Sequence, residues 1–79
     1  MKEQQIQAKR IKQLEAEGYY VLKLIKTNKN GIPDLIAIKE GDILFSEIKT
    51  TNGKLSEIQK YRMKELESYG FKTELYNGE

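Results

Sequence analysis

The chain has 79 residues, with 14 lysines and arginines against 12 aspartates and glutamates, and it contains no cysteine and no histidine. Its size suits one compact domain, residues 1–79, with a small core, and its composition excludes disulfides, thiolate metal sites, cysteine nucleophiles and imidazole catalysis. The net charge of +2 gives weak support for a polyanionic partner, and a charged, glutamine-rich start with no bilayer-length apolar run sets the expectation of a cytoplasmic protein with no membrane partner.

From Glu3 to Glu17, Ile6, Ile11 and Leu14 recur near helical spacing, and Gly18 follows where a left-handed cap residue belongs. "YYVLKLIK", Tyr19 to Lys26, is rich in aromatic and aliphatic residues and reads as a strand; "TNKNG" then supplies a loop that ends at Pro33. Two further strands, Asp34 to Lys39 and Ile43 to Lys49, are joined by the turn "KEGD". After the "TTNGK" loop, a Ser56-x-x-Gln59 capping box opens a second helix that runs to Tyr69 and stops at Gly70. "FKTELY" forms the last strand. The expected order is helix, three strands, helix, strand: a small α/β or α+β sandwich, read as α/β with a mixed sheet flanked by helices.

A hairpin centred between Glu40 and Gly41 pairs Ile38 with Ile43, Ile36 with Phe45, and Asp34 with Glu47. Two acids facing each other across neighbouring strands, with Cβ atoms about 4.5–5.5 Å apart, repel unless a cation sits between them. Magnesium takes one or two protein carboxylates and completes its shell with water and phosphate oxygens. Lys49, two residues beyond Glu47, projects from the same face, so the Glu-x-Lys spacing brings an ammonium to the same place. Singly, each of these residues is an ordinary strand-end charge. Together they end a face that also bears Ile36, Ile38, Ile43 and Phe45, the pattern of a covered face. A one-residue slip in register would send the two acids to opposite faces.

Helical residues extend the cluster. Glu3 falls on the inward stripe of the first helix with Ile6, Ile11 and Leu14, although an acid there also suits the helix dipole. Gln59 points sheetward with Met63 and Leu66 while serving as the capping partner of Ser56. Arg62 shares that arc, with three roles open to it: reaching outward to solvent, meeting phosphate or crossing a subunit boundary.

The segments "GIPDLIAI", "FSEIKT", "GKLSEIQ" and "LESYGFKTELY" together resemble the virus-type replication-repair nuclease domain, VRR-NUC, a branch of the PD-(D/E)xK nuclease superfamily. The likeness covers nearly the whole chain; a lone Glu-x-Lys would carry little, but four ordered pieces at family spacing are specific. It implies a restriction-endonuclease-like core and a metal-dependent endonuclease that uses Mg²⁺ or Mn²⁺. It further implies Asp34, Glu47 and the backbone carbonyl of Ile48 as metal ligands, Lys49 as the catalytic lysine, Gln59 as the motif glutamine, and Glu3 as the helical acid of the site. Compact stand-alone relatives of phage and bacterial type imply a homodimer acting on branched DNA, a four-way (Holliday) junction before a flap. Lys23, Lys26, Lys29 and Lys54, with Lys49, are candidates to follow the phosphate backbone. The alternative is a non-cleaving nucleic-acid-binding or dimerisation module that keeps the nuclease fold.

Overall fold

The computed structural model describes residues 2–78. The elements run α1 (Glu3–Ala16), β1 (Tyr20–Lys23), β2 (Leu35–Lys39), β3 (Asp42–Thr50), α2 (Glu57–Ser68) and β4 (Lys72–Gly78). The four strands form one mixed sheet in the order β1-β2-β3-β4, antiparallel except for the parallel β3–β4 pair. That parallel pair is what α2 makes possible, because a parallel neighbour must be reached by a crossover. The fold is α/β, consistent with a restriction-endonuclease-like core.

Both helices stop where glycine permits a left-handed residue. Gly18 has φ +95 and Gly70 has φ +91. At α1 the amide of Gly18 bonds to Glu15 O and that of Tyr19 to Leu14 O; at α2 the amides of Gly70 and Phe71 bond in the same pattern to Glu67 O and Leu66 O. This paired 5→2 and 6→1 arrangement satisfies carbonyls that the helix end would otherwise leave unpaired. At the start of α2, Ser56 Oγ accepts from Gln59 N at 3.3 Å and Gln59 Oε1 accepts from Ser56 N at 2.9 Å, the expected capping box.

The hairpin register is the expected one: Ile38 pairs with Ile43 and Ile36 with Phe45 around a two-residue Glu40-Gly41 turn. Several boundaries differ from expectation, most by a single residue. The first strand ends at Lys23 instead of Lys26, and the chain then leaves the sheet for a loop. Asp34 precedes β2 instead of opening it, since buried Pro33 has no amide to give the ladder. The last strand continues to Gly78, with Thr50 still paired to Gly78 on β3.

The two sheet faces are unequal, and this corrects the expectation that the acid-bearing face is the covered one. The tightest core lies on the other face, where Leu35, Ala37 and Ile48 pack with Ile6 and Leu14 of α1, joined by Val21, Leu44 and Tyr76. A polar network crosses the same interface: Arg10 donates to both carboxylate oxygens of Glu74 at 2.9 and 2.7 Å, fully buried Ser46 donates to Glu74 at 2.5 Å, and the Arg10 guanidinium lies 4.6 Å from the centroid of Tyr76. On the acid-bearing face Phe45 is buried and its ring meets that of Phe71 at 5.7 Å, but Ile36, Ile38 and Ile43 are only half-buried, and Tyr20 and Leu22 are exposed. The physical reason is coverage: α2 packs chiefly over β4, so the β1–β2 side of this face has no helix above it. No helix among the described residues is long and apolar enough to cross a membrane.

Stability should follow this asymmetry. Leu35→Ala or Ile6→Ala is expected to cost about 2–5 kcal/mol, and Ile38→Ala clearly less because water already reaches that side chain; urea denaturation of the three variants measures the order.

Candidate active site

Asp34 and Glu47 come together because the β2–β3 register, continued one step past Leu35–Ser46, sets them opposite each other. Asp34 is held by its own backbone and side chain: its carbonyl accepts from Leu24 N at 2.8 Å and its Oδ2 accepts from the amide of Ile48 at 2.9 Å. Glu47 sits on β3 with 4% of its surface exposed. Its Oε2 accepts from Gln59 Nε2 at 3.3 Å and lies 3.8 Å from Lys49 Nζ. Gln59 thus serves the helix cap with its oxygen and the site with its nitrogen.

The next step of the register brings Ile48 opposite Pro33. An edge-facing residue presents its N–H and C=O to the same neighbour. The Ile48 N–H has turned to Asp34, and proline has no N–H to offer in return, so the Ile48 carbonyl receives no ladder donor from Pro33. This carbonyl, the backbone oxygen that the family resemblance implies, belongs to the residue between Glu47 and Lys49 on β3.

The electrostatics follow from burial. The carboxyl of Glu47 is pushed up to about 8, first by burial, then by the charge of Asp34 and a hydrogen bond with it; the Lys49 ammonium opposes the shift and the charge of Glu3 adds to it. A carboxylate that is costly to ionise when bare, next to a second acid, is what a hard divalent cation relieves, and the donor set of two carboxylates and a backbone carbonyl matches the oxygen ligands such ions take. The residues present therefore fit a Mg²⁺ or Mn²⁺ ion.

The remaining candidates are distributed unevenly. Glu3 is exposed on the first turn of α1, not turned inward with buried Ile6 and Leu14; its charge is felt at Glu47, but no group of three acidic residues converges on one ion site among the described residues. Lys26 and Lys29 line a polar pocket of about 330 Å³ together with Asn30, Gly31 and Asp34, so the loop carries them to the Asp34 side of the pair. Lys23 pairs with Leu35 and so projects from the α1 face, away from the acids. Lys54 is exposed in the loop before α2. Lys49 is backed by Gly53, whose place would bring a Cβ to 2.7 Å from Lys49 Cβ; the lysine stem lies where only glycine leaves room.

Two contacts were not legible from the motif. Arg62 donates from Nε to Asn30 O at 2.8 Å and pairs with Glu65 at 3.1 Å, so within the chain its guanidinium is held by a loop carbonyl and a helix acid. Gly31, at φ +79, is pressed against Ile58 so closely that a Cβ would fall 3.0 Å from that residue's backbone. The glycine of the Gly-x-Pro-Asp motif is the available signal: it marks both a left-handed residue and a close approach.

The raised Glu47 carboxyl has a pH consequence in cation-free protein. Its folded value lies above the ordinary glutamate value of 4.5, so between about 4.5 and about 8 the folded state binds more protons than the unfolded one. The contribution is full below the lower value and is lost as pH rises through the upper. Thermal melts in a chelator should show this loss across that window, and Glu47→Gln should flatten it.

No curated protein matches the chain significantly. The family profile for the VRR-NUC domain matches residues 1–79. With the paired acids, the following lysine and the α2 glutamine in the places described, the chain belongs to the VRR-NUC family and is a nuclease-type domain.

Proposed function

We propose that this protein is a divalent-metal-dependent, structure-selective DNA endonuclease that cuts branched DNA, with the four-way junction as its preferred substrate and a flap as the lesser one. The observation that carries the reading is the near-buried Glu47 side by side with Asp34, with Lys49 and Gln59 on the same carboxylate. A bare acid pair of this kind destabilises the fold, and a role in binding a cation gives it a purpose.

Asp34, Glu47 and the Ile48 carbonyl would hold Mg²⁺ or Mn²⁺, which supplies Lewis-acid polarisation of a phosphoryl oxygen and a more acidic water. The reaction is hydrolysis of one phosphodiester: a bond forms between a water oxygen and phosphorus, the P–O ester bond opposite it breaks, and the leaving oxygen takes up a proton. Lys49 places a positive charge beside Glu47, where it orients the attacking water or offsets charge developing on the phosphoryl oxygens. Gln59, anchored through its own helix cap, keeps Glu47 turned into the site. Lys26 and Lys29 in the loop pocket guide the phosphate backbone past Asp34, and exposed Lys54 extends the same track. Glu3 is the weaker member of the set and acts through its charge alone.

Branch selectivity and two coordinated cuts are best served by a homodimer, which would present an acid pair to each of two strands. The uncovered β1–β2 side of the acid-bearing face, with Tyr20 67% and Leu22 43% exposed, supports such an assembly, and a small core gains most from shared burial.

Asp34→Ala, Glu47→Ala and Lys49→Ala are each expected to lower cleavage of a four-way junction by at least about 10²–10³-fold while the circular dichroism of the fold is kept, and Mn²⁺ should raise the melting temperature of the unsubstituted protein but not of Glu47→Ala. Magnesium-dependent cutting retained by all three variants rejects the site, and equal cutting of linear and branched duplex rejects branch selectivity while keeping the nuclease. Sedimentation of Leu22→Glu against the unsubstituted chain tests the assembly: the expected result is a dimer that becomes a monomer.

A further inference from the structure

One face of α2 touches both acid-bearing segments. Gln59 reaches Glu47 on β3. One turn along, Arg62 Nε donates to the carbonyl of Asn30 at 2.8 Å, and its Nη1 donates to Glu65 Oε1 at 3.1 Å. On the same face Ile58 is in close contact with Gly31. Asn30 and Gly31 stand four and three residues before Asp34, with Pro33 and its fixed φ between.

The Asp34 segment needs such a tie. Asp34 lies outside β2, at the end of a loop that leaves the sheet after Lys23. The backbone amides that hold it are those of Leu24 on one side and Ile48 on the other. Arg62 supplies the one side-chain hydrogen bond that joins this loop to α2 among the described residues. Its side chain is 16% exposed, so a long cation has been drawn inward onto a neutral backbone carbonyl, with Glu65 balancing its charge.

We infer that Arg62 is a positioning residue: by holding Asn30 it fixes Asp34 relative to Glu47 and so sets the affinity of the acid pair for a divalent cation. The cation part of this inference rests on the nuclease reading above. Arg62 touches neither acid, and its effect passes through four residues of backbone. Partners that orient metal ligands typically change metal affinity by about 10–100-fold when removed.

The test uses the full chain as unsubstituted protein, Arg62→Ala and Arg62→Lys. Amide hydrogen exchange, without metal or DNA, reads the Ile48 N–H that Asp34 holds. Arg62→Ala should speed exchange at Ile48 by roughly tenfold or more while Ala37 and Leu44, paired in the β2–β3 ladder, keep their protection. Calorimetric titration with Mn²⁺ alone should show affinity falling by a similar factor, with kcat on a four-way junction falling more than KM rises. Arg62→Lys, which keeps a donor for the Asn30 carbonyl, should recover part of each loss. Unchanged Ile48 exchange and unchanged Mn²⁺ affinity in Arg62→Ala overturn the inference, and if only KM for DNA then rises, Arg62 is a phosphate contact. Faster exchange spread evenly over β2 and β3 also overturns it, in favour of general stability. Absence of both Mn²⁺ binding and cleavage in the unsubstituted protein rejects the nuclease reading and the cation part together, and the Ile48 exchange result still decides the positioning part.

Discussion

Two carboxyl groups held side by side, one of them almost out of water, are the constraint around which this molecule is arranged. Burial alone disfavours the charged form of Glu47, and the neighbouring Asp34 disfavours it further. A fold that keeps such a pair must supply compensating contacts, and each nearby element gives one. The Ile48 amide satisfies Asp34, Gln59 satisfies Glu47, and Lys49 contributes the opposing charge. What these contacts leave uncompensated is the cost of ionising Glu47 beside Asp34, which the proposed divalent cation would relieve.

The rest of the sheet makes that arrangement tolerable by separating its two tasks. The α1 face carries the closely packed aliphatic core and the Arg10–Glu74–Ser46 network, so cohesion does not depend on the acid-bearing side. The other face is then free to be half-open, with α2 set over β4 and the β1–β2 edge uncovered. In a chain this short, with little core to spare, placing a strained acid pair on the less heavily packed face limits what its repulsion can disrupt. Membership in the VRR-NUC family makes the chain a nuclease-type domain.

Much of this was legible in local sequence. Gly18 and Gly70 marked helix ends because a left-handed residue is needed there, and Ser56 with Gln59 marked a helix start because the capping box is a four-residue device. The hairpin register followed from a short turn, and with it the meeting of Asp34 and Glu47. The errors have a common cause. Helical periodicity placed Glu3 on the inward stripe, but the first turn of α1 leaves it exposed. Alternating isoleucines suggested a covered face, but alternation shows only that residues share a side, not whether a helix lies above them. Lys23 stands close to the loop lysines in sequence, whereas strand alternation turns it to the α1 face.

The sequence by itself determined which residues are available to the chemistry and which of them share a strand face, since a short turn and strand alternation are local properties fixed over a few residues. Only the tertiary structure decided how deeply Glu47 is buried, which face holds the core, and that Arg62 grips the carbonyl of Asn30. Those outcomes depend on where helices settle over the sheet and how a loop folds back on them. Such placements are set by packing between segments far apart in the chain, for which no short stretch of residues carries the information.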